Sequence, residues 1–135
     1  MDVGKTLMVA GIGCRSGVSA EEVESALDAA LAPVLPGGRT LSLIATPAAK
    51  GHEPGIIAAA AARGIPLLLI TQSDLEAADT RTLTHSEHAM TAMNVRSVAE
   101  AAALAGAGPA SRLLGPRIAI GPVTCALACT RADTE

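Results

Sequence analysis

Leu7-Met8-Val9-Ala10-Gly11-Ile12-Gly13-Cys14-Arg15 is an apolar run that closes on two glycines, and Ser16-Gly17-Val18 then leads to Ser19, a residue suited to cap a helix. The order strand, glycine turn, helix start makes an anion-binding crevice. It predicts an α/β chain, with residues 7 to 12 as a buried strand. Ser19 and Glu22 have the spacing of a capping box, Val23, Leu27 and Leu31 form a buried stripe, and Pro33 stops the helix.

Working outward, the same pattern recurs. Residues 40 to 46 read as a second strand after a Pro36-Gly37-Gly38 turn, and Lys50-Gly51-His52-Glu53-Pro54-Gly55 leads into a helix ended by Gly64. Residues 66 to 71 read as a third strand, whose continuous apolar run predicts burial on both faces. Ser73 with Glu76, and Ser97 with Glu100, repeat the capping-box spacing. Between them, 79 to 94 reads as an irregular polar loop with at most one helical turn at Thr84 to Glu87. Leu113-Leu114 and Val123 to Cys129 read as two final strands joined by a Gly/Pro-rich turn. The expectation is one domain over 1–135, an α/β/α sandwich on a mixed, mostly parallel five-stranded sheet.

Composition excludes several classes. Ten Lys plus Arg against thirteen Asp plus Glu give a net charge of −3 without a basic stripe, so no nucleic-acid partner is expected. No apolar stretch is long enough to span a bilayer, and no signal peptide is evident, which predicts a soluble cytoplasmic protein without a membrane partner. There is no Phe, Trp or Tyr, so a flat ligand would bind without aromatic stacking. A chain of this length buries about 68% of its unfolded surface and needs no disulfide. Cys14, Cys125 and Cys129 are an odd count without a C-x-x-C pair, which fits a reducing compartment, and Cys125 and Cys129 read as buried small hydrophobes.

The chemistry-bearing residues lie in the loops. Arg15 and Lys50 both follow strands, at what a parallel sheet makes its ligand-binding edge, and suit carboxylates. Two solvated loop cations are the alternative. Glu53 is a candidate general base, or a charge at a helix N-terminus; Glu100 is a candidate base, or a cap partner of Ser97. Cys14 sits beside Arg15, a neighbour that lowers a thiol pKa. A dinucleotide fingerprint from Gly11 fails at Ser16, the second strand ends at Thr46 where an acid would hold a ribose, and Gly4-Lys5-Thr6 lacks the rest of a P-loop. His85 and His88, three apart, could bind a metal with His52 as third ligand, but two surface histidines are the commoner outcome in so polar a loop. Neither a metal nor a cofactor is expected.

Val9 to Arg15, Lys50 to Gly55 and Val95 to Leu104, in that order, resemble the CobE family of cobalamin biosynthesis, whose unit also forms the C-terminal domain of CbiG. The likeness runs from about Met8 to Ala128. It implies a role in building the corrin ring, in the stand-alone CobE form, with a precorrin or hydrogenobyrinic-acid-type tetrapyrrole and other pathway enzymes as partners. By motif, the resemblance carries ligand contacts to Gly11, Gly13, Cys14, Arg15, Lys50, Glu53, Gly55 and Ser97, with Glu53 and Glu100 as the catalytic candidates. Pro116-Arg117 stands where the family usually has Pro followed by Lys, and 79 to 94 lacks a clear family pattern. Three readings follow. One is a carrier or accessory protein for a corrinoid intermediate. The second is a CbiG-like hydrolase that opens the precorrin-5 lactone and releases acetaldehyde. The third is a small domain binding a nucleotide or phosphate ester at the first glycine turn. Whether the chain is an enzyme stays open.

Overall fold

The computed structural model describes residues 7–34 and 40–130. The Pro36-Gly37-Gly38 turn and Gly4-Lys5-Thr6 lie outside them. The elements are β1 (Met8–Cys14), α1 (Ala20–Leu31), β2 (Leu43–Pro47), α2 (Pro54–Arg63), β3 (Leu67–Ile70), α3 (Gln72–Ala78), α4 (Glu87–Met93), α5 (Val98–Ala107), β4 (Ser111–Leu113), β5 (Ile118–Ile120) and β6 (Val123–Thr130).

One mixed sheet runs in the order β3-β2-β1-β6-β4, with β5 also paired to β6. β1, β2 and β3 are mutually parallel, while β6 is antiparallel to β1, β4 and β5. Strand β6 alone therefore runs against the rest, which makes the sheet mostly parallel in direction. It has six strands rather than the expected five, because the Gly/Pro-rich turn hides β5. That short strand pairs Ile118 with Cys125, while β4 pairs with the far end of β6.

Alternation in β1 sorts the core. Met8, Ala10 and Ile12 face a cluster with Val23, Leu27 and Leu31 of α1 and Ile56 and Ala59 of α2. Val9 faces the other, alanine-rich cluster built on Ala99 to Leu104 of α5, with Leu75 and Ala78 of α3. The three layers are thus helices, sheet, helices. Small residues let α5 sit unusually close: a Cβ on Gly11 would lie 2.0 Å from the Ala99 carbonyl oxygen and 2.5 Å from the Ala103 nitrogen. Cys125 and Cys129 are buried and free, and burial pushes the Cys125 thiol up to about 12.

The α1 capping box forms as expected, Ser19 with Glu22, and Gly64 ends α2 in the left-handed conformation. Four expectations are corrected. β3 is an edge strand with Leu68 and Leu69 at 39% and 45% exposure, since an apolar run reports the faces of a strand and not whether its outer side is paired. Thr71, not Ser73, caps α3 by accepting from the Asp74 amide. The 79–94 segment holds two helical turns, capped by Ser86 and ended by Asn94 at φ 58°. At α5 only half of the capping box exists: Ser97 accepts from the Glu100 amide, and the Glu100 carboxylate goes elsewhere.

Candidate functional site

At the carboxyl end of the parallel strands, where the chain order switches from β1 toward β6, the structure opens a cleft of about 550 Å³. Gly13 and Cys14 at the end of β1 and Thr124 at the start of β6 form its floor. Arg15 reaches it from the loop after β1, Lys50 from the turn after β2, and Arg117 from the turn before β5. Ala89, Ala92 and Met93 of α4, with Val98 and Pro122, supply apolar wall. Among the described residues no carboxylate lines it. Arg15 and Lys50 therefore share one cavity, and a third cation joins them.

The first two loops are locked together beneath the cleft. The Lys50 ammonium donates to the Ser16 hydroxyl at 3.1 Å and lies 3.7 Å from Glu53, whose other oxygen accepts from the Gly17 amide at 3.0 Å. Glu53 is 5% exposed, so it ties loop to loop and does not turn back to cap α2. Gly55 lets the helix start abut the first loop, because a Cβ there would lie 2.3 Å from the Val18 carbonyl oxygen. Three donors at the approach to α1 are already engaged by the protein: Glu53 takes the Gly17 amide, Glu22 the Ser19 amide and Ser19 the Glu22 amide. Thr46 is buried and donates its hydroxyl to the Ile12 carbonyl.

Of the expected ligand contacts, Gly13, Cys14, Arg15 and Lys50 line the cleft. Gly11, Glu53, Gly55 and Ser97 do not: Glu53 ties the first two loops together, and the others are packing and capping residues. Burial pushes the Cys14 thiol up, a push that Glu53 reinforces and Lys50 only partly opposes, so the activated thiol expected beside Arg15 is not formed. His88 lines the cleft while His85 turns to Glu87, and no grouping of three His, Cys, Asp or Glu suited to a metal occurs among the described residues. Arg117, which the sequence marks only as a departure from the family's Pro-Lys turn and not as an expected contact, lines the cleft, and the α4 wall is a site element that the sequence reading lacks. A signal existed, in Ser86 as a cap followed by Ala89 and Met93 at helical spacing.

Glu100 is fully buried and accepts four hydrogen bonds, from the Leu83, Thr84 and Arg117 amides and the Thr84 hydroxyl, at 2.6–2.9 Å. Burial alone raises its pKa, but these donors outweigh it and hold the carboxyl below its ordinary value of 4.5. A lowered folded pKa contributes stability that is fully present above the unfolded value and is lost as pH falls through the folded one. Urea unfolding followed downward from pH 5 should therefore show a steeper acid loss for the wild type than for Glu100→Gln. Equal slopes would mean that the carboxylate gains nothing from its donors.

The profile of a protein family described as cobalamin synthesis G C-terminus matches residues 8–128. Protein CobE of Sinorhizobium sp is 37% identical over 123 residues, 90% of this chain and 79% of that one. The crystal structure of CobE, a protein from the cobalamin (vitamin B12) biosynthetic pathway, superposes with a TM-score of 0.86 at 33% identity, covering 96% of this chain and 94% of that one. Cobalamin biosynthesis protein chiG from Agrobacterium tumefaciens str. C58 gives a TM-score of 0.72 at 35% identity, covering 94% of this chain and all 100% of that one.

Proposed function

Since the chain belongs to the cobalamin synthesis G C-terminal family and is a cobalamin biosynthesis protein of the CobE type, we propose that its cleft holds an acidic tetrapyrrole of the precorrin or hydrogenobyrinic acid class, as a carrier or accessory protein of corrin synthesis. One observation carries this reading: three cations from three separate segments, Arg15, Lys50 and Arg117, converge on one cavity that contains no opposing carboxylate among the described residues. A corrin precursor bears acetate and propionate arms around an extended ring. Cations suit the arms, and the apolar wall of Ala89, Ala92, Met93, Val98 and Pro122 suits the ring without any aromatic stacking. The volume falls in the range of small-molecule sites.

The other two readings draw less support. A lactone hydrolase needs a base within reach of water in the cleft. Neither Glu53 nor Glu100 lines the cleft, and both have their oxygens engaged, Glu53 by the first two loops and Glu100 by Leu83, Thr84 and Arg117. A phosphate ester at the first glycine turn would compete with Glu53 for the Gly17 amide. No helix among the described residues is long and apolar enough to cross a membrane. In this reading the protein works in the cytoplasm beside other enzymes of the pathway.

Spectral titration with hydrogenobyrinic acid tests the proposal. Wild type should perturb the visible spectrum of the pigment and carry it through gel filtration, with neither ATP nor NAD displacing it. Arg15→Ala and Lys50→Ala should each weaken binding about tenfold, the cost of one charge-assisted contact. A wild type that leaves the spectrum unchanged and elutes without pigment overturns the reading.

A further inference from the structure

Glu100 sits on the third residue of α5, yet the donors to its carboxylate lie 16 and 17 residues away in two separate segments. Leu83 and Thr84 belong to the segment that enters α4; Arg117 opens the approach to β5. Those segments carry the two parts of the cleft that face the Arg15 and Lys50 loops: the α4 wall and the Arg117 cation. Helix α4 is otherwise lightly held. Of its residues only Ala89 is buried. Its remaining polar ties are the Ser86 amide to the Arg96 carbonyl at 2.8 Å, Gln72 to the Met93 carbonyl at 2.7 Å, and Asn94 to Glu76 at 3.4 Å.

We infer that Glu100 is the positioning residue of the cleft, one buried carboxylate that sets the α4 wall and Arg117 against each other and against the floor, so that both lose their placement together when its bonds are lost. The ligand-facing part of this inference rests on the proposed tetrapyrrole reading; the clamp itself does not. Glutamine at this position keeps one acceptor oxygen and turns an N–H₂ group toward amide donors. The Thr84 hydroxyl can turn and accept from that group, but no rotamer keeps all three amide bonds, so either the Arg117 amide or those of Leu83 and Thr84 go without a partner.

Hydrogen–deuterium exchange and a double-mutant cycle test it. In the free protein, Glu100→Gln should raise exchange at least about tenfold in 83–93 and 116–120 together, with β1 and β2 unchanged, because local opening tracks local bonding. Where Glu100→Gln yields too little folded protein, Thr84→Val, which removes only the hydroxyl bond, should show the same two segments with a smaller rise. In hydrogenobyrinic acid titrations, Glu100→Gln should cost about tenfold in affinity with Arg117 present and under about threefold in the Arg117→Ala background, since interacting residues are non-additive. Unchanged exchange in either segment, or exchange rising in one alone, overturns the clamp. Fully additive affinity losses overturn its action through Arg117. A wild type that binds no pigment removes the carrier reading and leaves the exchange result to decide the clamp.

Discussion

Gly11→Ala is expected to cost more than about 3 kcal/mol of folding stability, a large share of what a small domain has. The added methyl would meet backbone, the Ala99 carbonyl oxygen at 2.0 Å and the Ala103 nitrogen at 2.5 Å, with no flexible side chain to turn aside. Helix α5 has little room to retreat. At its other end a Cβ on Gly106 would already lie 3.0 Å from Val9 and 3.1 Å from Ala45, and Ala99 through Leu104 are all buried. Urea unfolding measures the effect, and Gly17→Ala is the control. Gly17 has φ +84° but nothing within 4 Å, so it should lose only ~1–2 kcal/mol for the left-handed conformation. A Gly11→Ala loss smaller than that of the control would mean that α5 slides freely on the sheet.

The triple variant Arg15→Ala, Lys50→Ala, Arg117→Ala is expected to weaken hydrogenobyrinic acid binding about a thousandfold, if three contacts of about tenfold each combine independently. Its fold should survive. Arg15 is exposed, Lys50 has a single hydrogen bond to Ser16 with one longer approach to Glu53, and the clamp on Arg117 uses its backbone amide. Salt provides a second readout: wild-type affinity should fall as ionic strength rises, and that of the triple variant should not fall, because salt screens the attraction that the three cations supply and the variant lacks. Calorimetric or spectral titration at low and high salt measures both. A triple variant within tenfold of wild type would leave the cations without a role.

Local signals in the sequence were the legible ones. The β1 run, the Ser19–Glu22 box, Pro54 at the start of α2 and Gly64 at its end each act within a few residues, and each is realised as read. The convergence of Arg15 and Lys50 followed from parallel strands placing successive loops at one edge. What failed to show depends on distant partners. Ser97-x-x-Glu100 has the same spacing as a true capping box, and nothing in it reveals that four donors from elsewhere claim the carboxylate. Gly11 and Gly13 are two residues apart and look alike, yet one admits a helix and the other floors a cleft. The Leu67 to Ile70 run carries no mark of its unpaired side.

Strand β6 pairs with β1 along the whole of β1, from Met8 with Cys129 to Cys14 with Val123, and also supplies the only described partners of β4 and β5. The middle of the sheet therefore joins segments more than a hundred residues apart. During synthesis on the ribosome β1 emerges early and waits with one side open until β6 follows, a high-contact-order closure that is slow compared with the local β1-α1-β2 unit. Nascent chains stalled before residue 123 should therefore depend on chaperones, for they have most of their helices and no centre.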